Sequence, residues 1–231
     1  MIGKVERAMR LTVVAATGGI GRHLLAQALE AGHEVTAVVR DPAKLGERPG
    51  VRVVRADLAT AGAPELRDAV AGADAVLSGL GAVGKAGVGV AESGTRALVG
   101  AMRETGARRL LVVSAAPIGT VPSPGRPHPP RHDPGEGPVM RYVLTPLVKR
   151  VLRAHYADLA RMEDAVLASG LDWTVVRPPQ LTDKPLTRDY RIAYGRNLRG
   201  GSKVSRADVA HCMLRSIDDP DTVGRVLGIA D

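Results

Sequence analysis

Short runs of aliphatic and β-branched residues alternate along this chain with stretches whose apolar side chains recur every three or four positions. That alternation restricts the fold more than any other feature. The runs are residues 11–15 (LTVVA), 34–39 (EVTAVV), 51–55 (VRVVR), 75–77 (AVL), 110–113 (LLVV) and 173–176 (WTVV). Between them Ile20, Leu24, Leu25, Ala28 and Leu29 repeat at helical spacing, as do Leu66, Ala69 and Val70. Ala97, Leu98, Ala101 and Met102 follow the same rule, and later Leu152, Leu159, Met162, Val166 and Leu167. Strands that are apolar throughout must be covered on both faces, and the intervening amphipathic helices supply the cover. The expected fold is therefore α/β, with a doubly wound parallel sheet. A chain of 231 residues, 45% of them hydrophobic, can bury one continuous core, so one domain over residues 1–231 is expected.

Two segments break the rhythm. Residues 79–94 (GLGAVGKAGVGVAESG) are glycine-rich and follow the fourth run; residues 117–138 (PIGTVPSPGRPHPPRHDPGEGP) are crowded with proline and follow the fifth. Neither suits regular structure in its interior. The second reads either as a domain linker or as a flexible loop over the ligand cleft. The loop is preferred, because open α/β sheets bind ligands beyond the carboxyl ends of their strands. Residues 178–231 form a smaller C-terminal part on the substrate side, with one clear helix at 206–217 and an apolar run at 222–229. Residues 1–9 read as an N-terminal tail, with charges at Lys4, Glu6 and Arg7 and without the apolar stretch or cleavage site of a secretory signal.

The sharpest local signal is VVAATGGIGRHLLAQAL, residues 13–29. A strand ends near Ala15, the turn Thr17-Gly18-Gly19-Ile20-Gly21 follows, and a helix begins at once. Such a junction aims several backbone N–H groups and a helix N-terminus at one point, as a diphosphate requires. Gly18 permits close approach of the backbone to the phosphates, and Gly21 permits close packing of helix on strand. No Gly-Lys-Ser/Thr follows, which excludes a mononucleotide P-loop. A tight turn without a ligand is the bland alternative; its position at the first strand–helix junction of a doubly wound pattern favours a dinucleotide.

From residue 13 to Leu45 the chain resembles the opening of the atypical short-chain dehydrogenases/reductases of the NmrA-like and biliverdin/flavin-reductase-like group. The likeness continues through Arg55-Ala56-Asp57-Leu58, Leu80-Gly81, LLVVSAA at 110–116 and GLDWTVVRPPQLTD at 170–183, so it spans about residues 10 to 215. One position departs: the first glycine of the family's Gly-Ala-Thr-Gly-x-x-Gly motif is Ala15. The resemblance implies a Rossmann-type NAD(P)-binding domain in which Asp57 and Leu58 flank the adenine, Leu80 and Gly81 follow the fourth strand beside the cofactor, Ser114 ends the fifth strand, and Pro178, Pro179 and Gln180 pass the nicotinamide.

The second strand ends in Arg40, where NAD-selective sites place an acid for the ribose 2′-hydroxyl. A guanidinium there suits a 2′-phosphate and favours NADP(H) over NAD(H), while the neighbouring Asp41, part of an Asp-Pro pair, also reads as turn chemistry. Ordinary short-chain dehydrogenases pair a Tyr with a Lys four residues on, the cation lowering the phenol's pKa for proton exchange. Here Tyr142 is followed at that spacing by Pro146 and Tyr156 by Ala160. Aligning Glu163 with the acid that often follows the Lys puts Leu159 at the Lys position and His155 at the Tyr position. His155 and Tyr156 are the remaining candidates for proton transfer. Hydride transfer survives the loss of the pair, since the nicotinamide carries the chemistry.

Net charge is +8, yet only 2% of residues are aromatic and none is Phe, so stacking platforms for single strands are scarce and nucleic acid is disfavoured. Arg177, Arg188, Arg191, Arg196 and Arg199 make the C-terminal part cationic, either to attract an anionic substrate or as a solvated face. One cysteine, Cys212, forms no internal disulfide, His128 and His132 lie on the proline-rich segment where solvated side chains are the default, and no metal site is expected. The chain reads as a cytoplasmic oxidoreductase, monomeric or homodimeric, using NADP(H) on a small conjugated or carbonyl substrate. The alternatives are an NmrA-like sensor that binds NADP without turnover, and a redox-neutral epimerase or isomerase.

Overall fold

The computed structural model describes residues 7–81, 87–135, 137, 142 and 145–231. The first half runs β1 (Arg10–Val14), α1 (Gly21–Glu30), β2 (Glu34–Val39), β3 (Val51–Arg55), α2 (Ala63–Val70), β4 (Ala75–Ser78), α3 (Val90–Thr105) and β5 (Arg109–Val113). The second half adds α4 (Thr145–Val151), α5 (Arg153–Leu167), β6 (Asp172–Arg177), β7 (Gln180–Thr182), β8 (Arg191–Tyr194), β9 (Lys203–Ser205), α6 (Arg206–Arg215) and β10 (Arg225–Ala230). Eight strands form one sheet in the order β3-β2-β1-β4-β5-β6-β10-β8, parallel except for the antiparallel edge strand β8. This is the doubly wound Rossmann-type arrangement, reversing direction between β1 and β4. A parallel pair, β7 and β9, forms a second small sheet.

Alternate strand residues feed two cores. Val14, Val76, Leu110, Val112 and Val175 pack with Leu66 of α2, Leu98 and Met102 of α3, and Met162 and Val166 of α5. On the other face Leu11, Val13, Leu77, Leu111 and Leu227 pack with Leu24 and Ala28 of α1 and with Val209 and Met213 of α6. Burying a side chain of this size is worth about 1.5–3 kcal/mol, so the paired cores fix which face each helix takes.

The expectation that all six strands are covered on both faces fails at β3. It is an edge strand, with Arg52 and Arg55 exposed and Val53 at 42% exposure. The glycine-rich segment also becomes helical earlier than expected. Residues 82–86 lie outside the described residues, but α3 starts at Val90, and Gly94 lies inside it against Leu58 and Leu80. A Cβ at Gly94 would stand 2.8 Å from Leu80 Cδ2 and 3.0 Å from Leu58 Cβ, so glycine here serves close helix approach rather than a turn. The C-terminal helix ends at Arg215, two residues short of the expected limit.

Of the tail, residues 1–6 lie outside the described residues, whereas Met9 already packs on the α1 core and accepts the Glu34 N–H. The proline-rich segment is described through residue 135 and at 137; positions 136 and 138 lie outside. It opens with a 3-10 turn over Ala116–Thr120. Asp164 of α5 accepts from Ser123 Oγ and Gly125 N at 2.9 Å each, and buried Asp133 accepts from Gly135 N and Asn197 N. Two carboxylates thus stitch the segment to α5 and to the C-terminal part. Among the described residues no helix is long and apolar enough to cross a membrane, and no cluster of three potential metal ligands occurs.

Candidate cofactor site

At the switch point β1 runs into a backbone knot. Ala15 adopts the left-handed region at φ 57°, which explains why the resembled motif has glycine there. Gly18 N–H turns back onto Ala15 O at 2.8 Å, and Arg22 N–H bonds Gly18 O at 3.1 Å. Gly21 lies so close to the Ala15 carbonyl that any Cβ would collide with it, and Gly79 at the end of β4 abuts Gly21 N from the other side. Helix α1 has no side-chain cap and no acid in its first turn. Among the described residues, the N–H groups of Gly19, Ile20 and Gly21 donate no hydrogen bond. Free donors at a helix start, with a backbone kept bare by glycine, form an anion cradle.

The other predicted contacts line the same edge. Arg40 follows β2, is exposed, and has no ion-pair partner among the described residues. Asp41 beside it is committed elsewhere: its carboxylate accepts the Ala43 N–H at 3.2 Å and caps a short 3-10 turn. The Ala56 N–H donates to Val39 O, holding the ends of β2 and β3 together, so Asp57 follows on the strand beside Arg40. Asp57 is exposed and caps its own turn through Ala59 N–H. Leu58 and Leu80 are buried and meet at Gly94, while Gly81 is exposed with open space at its Cβ. The start of α3 offers no second anion site, because fully buried Asp158 of α5 accepts the N–H groups of Gly89, Ala91 and Glu92.

At β5 and β6 the chemistry is made by side chains. Ser114 N–H donates to Val176 O and Ala116 N–H to Pro178 O, which sets Ser114 and Pro178 side by side. Pro178 is buried, Pro179 half-buried and Gln180 exposed at the head of β7. The Ser114 hydroxyl donates to buried Glu163 at 2.6 Å. Glu163 also takes a two-pronged pair from Arg177, through Nε at 2.8 Å and the terminal nitrogen at 2.5 Å, with Arg126 3.7 Å away. Arg177 is only 6% exposed, which corrects its grouping with the cationic C-terminal surface; Arg188, Arg191, Arg196 and Arg199 do lie exposed. The sequence carried no signal for this network, since Glu and Arg on separate elements ordinarily read as surface residues.

Helix α5 presents His155 and Tyr156 in its first turn. Tyr156 is buried in the core, and burial pushes its phenol above the ordinary value, opposite to the shift a neighbouring lysine produces. Leu159, at the aligned Lys position, is buried in the same core. His155 is half-buried; desolvation pulls its pKa down against the pull of Asp158, and its buried Nδ1 has no partner among the described residues. His128 and His132 are exposed, His132 edge-on to Tyr142 with ring centroids 5.8 Å apart.

Residues 15–220 match the profile of a family described as NAD(P)H-binding. The chain belongs to that family. It is 27% identical over 231 residues to the uncharacterized sugar epimerase YhfK of Bacillus subtilis, covering 96% of this chain and 94% of that one. Its fold is similar to that of the oxidoreductase ylbE from Lactococcus lactis, with TM-score 0.77, 18% identity, and 96% and 91% of the two chains covered. A wide-type short-chain dehydrogenase/reductase from Veillonella parvula, solved in complex with NADP, is similar at TM-score 0.75 and 19% identity, covering 97% of this chain and 95% of that one. For an NAD(P)H-binding chain the cradle at Gly18–Gly21 fits a dinucleotide: its N–H donors are left for a diphosphate, and the side chain that lies against Gly19 is a cation, Arg206.

Proposed function

We propose that this protein is an NADP(H)-dependent reductase of a small conjugated or carbonyl compound, working without a Tyr–Lys pair. The observation that carries the reading is the division of labour at the end of β2. Asp41 is committed to its own turn, and exposed Arg40 is left as the charged group at the end of β2. A guanidinium there selects a 2′-phosphate, and the free N–H groups of Gly19, Ile20 and Gly21 hold the diphosphate. The cofactor, when bound, supplies the hydride. The chain's own residues orient it: Leu58 and Leu80 give an apolar wall for the adenine, and Pro178 and Pro179 stiffen the turn that passes the nicotinamide.

Proton delivery is the weaker half of the site, which fits acceptors that take their proton from solvent. Desolvation favours the neutral ring of His155, and its Nδ1 is buried without a partner among the described residues, so it does not serve as a resting imidazolium acid. A second reading, an NADP sensor without turnover, is favoured by the closure of Ser114, Glu163 and Arg177 on one another. The test is the 340 nm absorbance of NADPH mixed with the protein and a panel of flavins, quinones and enones. A protein-dependent fall supports the reductase; tight binding with no fall across the panel overturns it in favour of the sensor.

A further inference from the structure

The C-terminal part sends Arg206 over the cradle. Strands β7 and β9 pair in parallel with Thr182 opposite Ser205, so the residues that follow, Asp183 and Arg206, leave the strand ends side by side. Arg206 opens α6, and α6 packs on α1 through Val209 and Met213 against Leu24 and Leu25, with Gln27 Nε2 donating to Ala207 O at 2.9 Å. That packing lays the Arg206 side chain over the turn. Its Nε stands 2.9 Å, and its Cδ 3.0 Å, from where a Cβ on Gly19 would be. Asp183 bridges Arg206 at 2.9 Å and Arg22 of α1 at 3.2 Å through one oxygen. The Asp183 carboxylate is 69% exposed, whereas Arg206 is 27% exposed.

We propose that Arg206 is a diphosphate ligand supplied by the C-terminal part, and that Asp183 is its competing counter-ion. The inference rests on the dinucleotide reading of the cradle. Two guanidinium groups share a single carboxylate beside three free N–H donors, so the cluster carries excess positive charge where the family's ligand carries negative charge. Gly19 accommodates this: any side chain there would displace the guanidinium from the backbone whose N–H faces the anion. An anion on the Gly19 N–H lies beside Arg206 and exchanges with Asp183, whose exposed carboxylate loses little on returning to water. The pairing with β9 also ties the diphosphate to β7, where Gln180 stands, so occupancy of the cradle fixes the strand expected beside the nicotinamide.

The experiment measures dissociation constants for NADPH, NADH and AMP with the wild-type protein and the variants Arg206→Gln and Asp183→Asn, together with the thermal transition of each ligand-free protein. The expected results are opposite in sign. R206Q weakens both dinucleotides about tenfold and leaves AMP, which has no diphosphate, within about twofold. D183N tightens both dinucleotides about threefold at low salt, and the gain shrinks as salt screens the cluster. Unchanged dinucleotide affinity in R206Q, with only a lowered transition, makes the pair structural and overturns the proposal. Should R206Q fail to fold, D183N decides alone: weakened or unchanged affinity overturns it. Wild-type protein that binds neither dinucleotide overturns the cradle reading itself, a result distinct from wild-type binding that R206Q leaves untouched.

Discussion

At residues 15–21 the site is made of backbone: three N–H groups have no acceptor among the described residues, the glycines add no side chain of their own, and α1 has no acid in its first turn. At Ser114, Glu163 and Arg177 it is made of side chains that face one another and satisfy one another. Both stand at the carboxyl edge of the same sheet, but the first is open and the second closed. An open set of donors is a binding device, because its satisfaction comes from a ligand. A closed charged network is a positioning device, holding the ends of β5, β6 and α5 in register. The contrast explains how the chain can keep a dinucleotide site without a tuned acid–base pair.

The largest expected effect lies in the closed region. Replacing Glu163 with Ala leaves Arg177 and the Ser114 hydroxyl buried without their acceptor, which costs about 3–5 kcal/mol of unfolding free energy. For a chain of this size that is a drop of about 10 °C in the thermal midpoint. Calorimetry checks it, and a change within a degree or two would mean the network is not closed in solution. The matching break in the open region is Gly18→Val. Its Cβ would sit 3.1 Å from Ala15 O, which the turn can absorb with a small shift, but the branched atoms occupy the phosphate approach. Dinucleotide affinity should fall more than about a hundredfold while the ligand-free midpoint moves by at most a few degrees. Calorimetric titration separates the two variants, since one loses stability and the other loses binding.

A smaller effect tests the sugar end of the open region. Arg40→Ala should weaken NADPH about ten- to a hundredfold, corresponding to about 1.5–3 kcal/mol for a charge-assisted contact, and leave NADH within about twofold. Equal loss for both dinucleotides would move the 2′-phosphate away from β2.

The open region was readable in advance because its chemistry demands residue types. A bare backbone needs glycine, so Gly18 and Gly21 stand in the sequence as a pattern, and Arg40 stands at a strand end counted from it. The closed region was not readable, because a salt bridge between α5 and β6 joins residues fourteen positions apart whose types usually mark a surface. Likewise the run VRVVR fitted a buried strand by composition, but its arginines and Val53 belong to an edge, and edges are set by strand order rather than by local pattern. The pair β7 and β9 leaves no pattern in the sequence, since three residues are too few to show periodicity.

The half-buried histidine of α5 gives a pH test of the closed side. Desolvation lowers the His155 pKa in the folded protein, with Asp158 pulling the other way. The folded state therefore favours the neutral ring more than the unfolded chain does. Its contribution to stability is present above the unfolded value near 6.5 and is lost as pH falls through the lowered folded value. Chemical denaturation at pH 7.5 and pH 5 should show a smaller acid loss in His155→Gln than in the wild type. An equal loss would place the ring in water.

The smallest expected effect probes strain on the open side. Ala15 holds φ at 57°, where an L side chain costs about 1–2 kcal/mol relative to glycine, while glycine gives back about 0.5–1 kcal/mol in unfolded-chain entropy. Ala15→Gly should thus stabilise the ligand-free protein by about 0.5 kcal/mol, visible as a shifted denaturant midpoint at unchanged slope. NADPH affinity should stay within about twofold, because the Ala15 carbonyl already receives the Gly18 N–H and the donors of the cradle are already aimed. A gain in affinity larger than the gain in stability would show that the ligand-free turn samples other conformations and that binding selects this one. The open region would then be bistable, whereas the Glu163 network has its partners in place beforehand.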